Sequence, residues 1–179
     1  MSYVSEVLHT APAVFTTDLQ KRVYETFEKL HIPFLRVDTT EAITMEDCRQ
    51  IDERLQMKTV KTLFLCNRQQ TDFYLFVTKG DKPFVTKDFG QALHIARVSF
   101  APASLLLSKM GTTVGATTVL STLLDPDHSV KVVFDREVLT EPWYGCSDGT
   151  TTSYLRLKME DLTETFLGYT GHRPLLIDV

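Results

Sequence analysis

A chain of 179 residues that is 43% hydrophobic holds enough apolar material for one ordinary globular domain with a real core. Charged residues make up 23% and the formal net charge is −4, which excludes broad electrostatic wrapping of nucleic acid; any RNA contact must use a local basic patch. The 3 cysteines, Cys48, Cys66 and Cys146, form no CxxC pair and cannot all be paired, which argues against a disulfide framework and for a reducing compartment. Met1-Ser2-Tyr3-Val4-Ser5-Glu6 has neither the basic nor the apolar region of a secretory leader, and no apolar run reaches membrane-spanning length. A soluble, cytoplasmic protein with no membrane contact is the expectation.

Residues 1–17 read as an N-terminal extension and residues 18–179 as a single domain, without internal repeat or linker. The first helix begins near Asp18, which is suited to cap it, and Leu19, Val23, Phe27 and Leu30 recur at helical spacing. His31-Ile32-Pro33 ends it, and a short strand follows over 34–37. Met45 to Leu55 reads as a second helix. Lys58 to Cys66 and Phe73 to Val77 read as a hairpin around the polar turn 67–72.

After the turn Gly80-Asp81-Lys82-Pro83, Thr86 is placed to cap a helix reaching Leu93, and Arg97 to Phe100 reads as a strand. Pro102 opens a helix that Gly111 ends. Val130 to Asp135 and Tyr154 to Leu157 are strands, Met159 to Leu167 a helix, and Leu175 to Ile177 a last strand. The irregular interleaving disfavours a βαβ array. It predicts an α+β (mixed α/β) fold in which a curled mixed sheet is surrounded by helices.

Three separated segments carry the chemical signal. In Val60-Lys61-Thr62-Leu63-Phe64-Leu65, strand alternation puts Lys61 on the same face as two leucines, where an ammonium needs either an anion or a route to water. Gly111 to Val119 has two glycines four residues apart and exposes backbone N–H groups, as an anion or oxyanion nest does; a plain helix cap and turn is the alternative. Gly145 to Thr152 is rich in hydroxyls and reads as a turn before a strand. One cation beside two donor-rich loops suits a phosphate and an ester carbonyl. The spacing matches neither a Walker A loop nor a dinucleotide fingerprint.

The 5 histidines all fall outside these segments, so Cys146 or Ser147 has no evident base and nucleophilic catalysis is disfavoured. Neither Cys nor His recurs at zinc-ligand spacing, and no metal or cofactor is expected. Lys79, Lys82, Lys87 and Arg97 form a mid-chain basic group, either a solvated face or a phosphate-contacting patch. Trp143 and Tyr144 are candidates for stacking on a base or for simple packing.

Together, Lys61 to Asn67, Gly80 to Phe84, Arg97 to Ala101, the Gly111 and Gly115 loop, Val130 to Asp135 and the ending Gly171 to Val179 resemble the YbaK / prolyl-tRNA synthetase editing-domain family, in particular its free-standing ProX-like branch. The resemblance spans about Asp18 to Val179 and implies a barrel-like editing-domain fold. It also implies a trans-acting aminoacyl-tRNA deacylase that removes a small amino acid such as alanine or cysteine from tRNA(Pro). On that resemblance Lys61 holds the phosphate of the terminal adenosine and Gly115 places the ester, these two being the catalytic positions. Thr62, Gly111, Ala116, Thr117, Thr118, Ser147, Thr151 and Thr152 are the implied substrate-binding positions. The partner implied is the 3′ acceptor end of an aminoacyl-tRNA, with prolyl-tRNA synthetase a candidate docking partner.

The chain also departs from the family pattern. The closing Pro of the glycine loop is Val119 and the Pro before Gly115 is Val114. The family's His, Pro and Asn of a His-Pro-x-x-Asn element fall on Ser147, Asp148 and Thr151. Two readings follow: a deacylase with altered acyl specificity, or a catalytically silent member that binds aminoacyl-tRNA or an aminoacyl-adenosine-like ligand for regulation.

Overall fold

A computed structural model describes residues 3–41 and 45–179. Helix α1 (Asp18–Lys29) buries Leu19, Val23, Tyr24 and Phe27 along one face. Its cap is Thr17, not Asp18: Thr17 is extended, and its hydroxyl accepts from the Gln20 N–H at 3.0 Å. Asp18 instead occupies the first turn, where its charge complements the helix dipole. Strand β1 (Leu35–Asp38) and helix α2 (Met45–Leu55) follow.

The expected hairpin is present as β2 (Val60–Cys66) and β3 (Phe73–Lys79), paired antiparallel from Val60↔Lys79 to Cys66↔Phe73. Helix α3 (Thr86–Leu93) starts where expected, but Val85 holds the cap position and makes no side-chain capping bond. Strand β4 is short (Ser99–Phe100), and α4 (Ala103–Met110) ends at Gly111, whose φ of 66° is the left-handed cap. A 3₁₀ segment (Val119–Leu124) leads to β5 (Val130–Asp135), and another (Arg136–Thr140) leads to β6 (Trp143–Ser147). Strand β7 (Ser153–Lys158) is followed by a π-helical stretch (Asp161–Phe166), helix α5 (Leu167–Thr170) and β8 (Leu175–Ile177).

The mixed α+β fold is as expected, and among the described residues its strands fall into two sheets that do not close into a barrel. The order β4-β2-β3-β5-β8 makes a mixed five-stranded sheet, with β3–β5 and β5–β8 parallel; β1-β7-β6 is an antiparallel three-stranded sheet. Their inner faces share one core, in which Val77, Val132 and Phe134 of the larger sheet meet Tyr144, Cys146, Leu155 and Leu157 of the smaller, with α1 packed alongside. Helix α3 covers the other face of the larger sheet through Phe89, whose ring packs edge-on against Tyr74 and Phe76. Full burial of a side chain of that size contributes about 1.5–3 kcal/mol.

Strand β6 occupies part of the segment expected to be a loop. Gly145 reads as a turn residue in the sequence, yet here it permits a close crossing: a Cβ at this position would sit 2.5 Å from Met57 Sδ and 3.1 Å from the Lys58 carbonyl. The hydroxyl-rich turn is therefore confined to residues 148–152, between β6 and β7. Residues 3–10 run beside β1, with Ser5 N–H donating to Asp38 O and Leu8 N–H to Arg36 O, each at 2.8 Å. Arg54 of α2 also donates to Ser5 O at 2.9 Å.

Candidate active site

The site follows from how the two sheets meet. A parallel bridge joins Thr59, just ahead of β2, to Gly145 of β6. Past the bridge the strands diverge, and β2 next finds a partner on this edge at Phe64, whose carbonyl accepts from Ala101 N–H at 2.9 Å. Backbone polar groups in a strand alternate sides, so Thr62 points its N–H and C=O the same way as Phe64. Among the described residues no strand lies beside Thr62. This one-residue window in the sheet edge opens on a cavity of about 440 Å³.

One wall of the cavity is the β2 edge from Thr59 to Phe64, and facing it are Cys146 and Ser147 at the end of β6. Val114, Gly115 and Thr117 form the loop wall, Phe100, Ala101 and Leu106 line the β4–α4 side, and Cys48 and Tyr154 complete the lining. Lys61, Thr62, Gly115, Thr117 and Ser147, remote in the sequence, are thus brought together. A separate groove of about 520 Å³ beside α1 gathers none of the expected site residues. The cavity's size falls in the range of small-ligand sites.

Lys61 shares a strand face with Leu63 and Leu65, both packed in the cluster that holds Phe84 and Phe89. It is half-buried, and its Nζ donates to the Lys82 carbonyl at 2.6 Å. One carbonyl engages one of the three ammonium protons and leaves the others for an anion. The turn Gly80 to Pro83 therefore steers the charge. Lys82 has a different task, its ammonium lying 2.8 Å from the buried Asp135 carboxylate and 3.4 Å from Glu137. Within the expected basic group, Lys87 and Arg97 line an open groove along α3 together with His94.

Gly115 adopts φ 92°, a left-handed conformation that a side chain would strain, and is exposed. Among the described residues, the N–H groups of Gly115 and Thr117 donate to no protein acceptor, so the loop does present free donors. Ala116 N–H closes a turn on Thr113 O at 3.0 Å, and Ala116 is itself buried. Thr118 is fully buried and caps the 3₁₀ segment through Leu120 N–H, while Gly111 is a helix cap against which Leu124 and Leu19 pack. Ala116, Thr118 and Gly111 support the loop without lining the cavity.

Ser147 lines the cavity but its hydroxyl is already committed: it donates to Thr150 O in a very short bond and accepts from Gly149 N–H at 3.0 Å. Thr151 and Thr152 lie in the turn beyond, and Thr152 is exposed. Asp148 is buried behind the turn and accepts from Gln20 Nε2, Tyr24 Oη and Thr150 Oγ1 at 2.7–2.8 Å. Burial raises its pKa, partly offset by those bonds.

Among the described residues, no carboxylate or imidazole lines the cavity. Burial pushes the Cys146 thiol up to about 12 and the Cys48 thiol up to about 11, so both stand as neutral thiols, unsuited to attack. The fully buried Tyr144 hydroxyl makes no hydrogen bond of full geometry, although the side chains of Thr62, Thr118 and Cys146 lie close enough to act on it. The sequence motifs do not single out Phe100, Cys48 or Tyr154 as site residues, and Tyr144, a candidate there for stacking on a base, is fully buried and packs in the core. Of these, Phe100 leaves the clearest trace in the sequence, as the aromatic residue that ends the strand expected over Arg97 to Phe100.

Comparison with known proteins decides the family: the aminoacyl-tRNA editing domain matches residues 39–165. The chain belongs to the aminoacyl-tRNA editing domain family. It is 29% identical over 168 residues to prolyl-tRNA synthetase associated domain-containing protein 1 of Danio rerio, covering 92% of this chain and 90% of that protein. It is 25% identical over 145 residues to the prolyl-tRNA editing protein ProX of Acetoanaerobium sticklandii, covering 81% and 88%. A solved structure of a candidate trans-editing enzyme for prolyl-tRNA synthetase superposes with a TM-score of 0.66 at 16% identity, covering 92% of this chain and 99% of that one; at that identity the fold is what is shared. The editing-domain match takes in β2, the Gly115 loop and the end of β6, all of which wall the cavity.

Proposed function

We propose that this protein hydrolyses the ester of mischarged tRNA in trans, as an aminoacyl-tRNA deacylase. The single observation that carries the reading is the cavity at the β2 edge. A partly free ammonium, loop amides without a protein acceptor and a strand residue with no strand beside it border a space whose size supports binding of an aminoacylated terminal nucleotide. Lys61 takes the phosphate of that nucleotide. The N–H groups of Gly115 and Thr117 face the ester carbonyl and stabilise the negative charge that develops on it as water attacks. Because the lining has no side-chain base, the attacking water is oriented by the substrate's own vicinal ribose hydroxyl and by backbone groups.

The substrate in this reading is tRNA(Pro) carrying a small amino acid such as alanine or cysteine, supported by the relatedness to ProX. The site of action is the cytoplasm, and prolyl-tRNA synthetase is the candidate docking partner. Among the described residues no helix is long and apolar enough to cross a membrane. The test is incubation with Ala-, Cys- and Ser-tRNA(Pro) beside an active family member. Time-dependent release of one amino acid is expected; stable esters in all three reactions overturn the reading.

The committed Ser147 hydroxyl and the bare lining favour a second reading, a module that binds aminoacyl-tRNA without turning it over. It predicts Lys61-dependent binding of a non-hydrolysable aminoacyl-adenosine with no deacylation.

A further inference from the structure

The cavity wraps around the β2 edge and so has two sides. On one side Thr62 and Phe64 face the Gly115 loop and the end of β6. The other side carries Lys61, Leu63 and, across the β2–β4 pair, Phe100, which stands opposite Leu65 in the register and therefore shares its face. Phe100 is 60% exposed even though it sits on a cavity wall. Its ring is nonetheless held, because Phe84 packs against it edge-on at 5.8 Å and 70°. An exposed aromatic ring braced by a second ring has the form of a stacking platform.

We propose that Phe100 is the stacking platform for the base of the terminal nucleotide, a purine whose phosphate is held by Lys61. This rests on the proposed function and adds a base subsite to it. The argument is one of shared chemistry on one strand face. An ammonium and an open aromatic ring, on neighbouring strands, match the two ends of a nucleoside monophosphate. The acyl group then passes over the unpaired Thr62 edge into the other half of the cavity. Stacking reads area rather than hydrogen-bond pattern, so a purine is held better than a pyrimidine and the side chain at position 100 must be aromatic.

The probes are adenosine 5′-monophosphate and ribose 5-phosphate, titrated by NMR into the wild-type protein and into the variants Phe100→Ala, Phe100→Tyr and Lys61→Ala. Phe100→Ala is expected to weaken the nucleotide about tenfold and leave ribose phosphate unchanged, with Phe100→Tyr restoring the nucleotide. Lys61→Ala is expected to weaken both. In deacylation, Phe100→Ala raises KM and Phe100→Tyr recovers it. Equal nucleotide binding by wild type and Phe100→Ala, with Lys61→Ala still impaired, overturns the stacking subsite and leaves the proposed function standing. Failure of both probes to bind the wild-type protein overturns the stacking subsite, while amino-acid release in the deacylation assay keeps the proposed function standing. Because Phe100 is exposed, all variants are expected to melt close to the wild type.

Discussion

Two buried polar clusters in this protein are built to opposite standards. At the start of β5, every oxygen of Asp125 is used: Oδ1 accepts from Ser129 N–H and Oγ at 3.0 and 2.7 Å, and Oδ2 accepts from Val130 N–H and lies 2.8 Å from His172 Nε2. His172 is in turn 3.0 Å from Thr170 Oγ1, and His128 packs edge-on against its ring at 4.7 Å. Under the cavity, by contrast, the Tyr144 hydroxyl is buried with no hydrogen bond of full geometry, and among the described residues no strand lies beside Thr62 on that edge. A saturated cluster has nothing left to offer a ligand and holds the chain end to the sheet. An unsaturated one keeps a desolvation debt that a bound group can relieve. Satisfaction, more than burial or charge, separates scaffold from site here.

The sharpest way to break that contrast is to remove the saturated carboxylate. Asp125→Ala strands Val130 N–H, Ser129 and His172 in a buried corner and is expected to cost about 3–5 kcal/mol by urea denaturation. Deacylation per folded molecule should be unchanged. Burial alone would raise the Asp125 pKa, but the bonds from Ser129, His172 and the two backbone amides outweigh it and lower the value below the ordinary 3.8. A depressed carboxylate pKa contributes stability that is complete above 3.8 and is lost as pH falls through the folded value. The wild type should therefore lose stability steeply in that acid range, and Asp125→Ala should show a flatter limb. A variant with wild-type acid sensitivity would show that the cluster is not the source.

Lys61→Ala tests the other half of the comparison. Its loss removes a charge-assisted contact worth about 1.5–3 kcal/mol, so kcat/KM should fall roughly ten- to hundredfold. Stability should barely move, since among the described residues the ammonium's partner is one carbonyl at the Gly80–Pro83 turn. A melting temperature that drops while kcat/KM holds would instead assign Lys61 to the scaffold.

How much of this was visible in the sequence differs by region for the same physical reason. Helix α1 and strands β2, β3 and β5 announce themselves because their apolar residues repeat at 3.6 or 2 and are buried in that pattern. Strand β6 did not, because Gly145 mimics a turn residue and its real reason, the crossing of Met57 and Lys58, is a long-range contact. The two-sheet arrangement was hidden likewise, being set by a single bridge at Thr59. Of the site, Lys61, Thr62, Gly115, Thr117 and Ser147 were legible as motifs and do meet. Neither the commitment of the Ser147 hydroxyl to Thr150 nor the orphan state of Tyr144 leaves a trace in residue type, since both depend on where a neighbour's oxygen lies.

Tyr144→Phe produces the smallest change and discriminates most finely. Deleting a hydroxyl that completes a buried hydrogen bond costs about 1 kcal/mol, whereas deleting one that has no partner removes a desolvation penalty of similar size. The ring itself, fully buried among Cys146, Leu155 and Leu157, is kept by Phe, so no cavity opens. The unliganded variant is therefore expected to be as stable as the wild type or up to about 1 kcal/mol more stable in urea melts. If a ligand relieves the penalty, the balance reverses on binding. A non-hydrolysable aminoacyl-adenosine should then stabilise the wild type more than Tyr144→Phe, by up to about the same 1 kcal/mol. A variant that is destabilised without ligand means that the hydroxyl is satisfied in solution, and then the Tyr144 cluster belongs with Asp125 as scaffold.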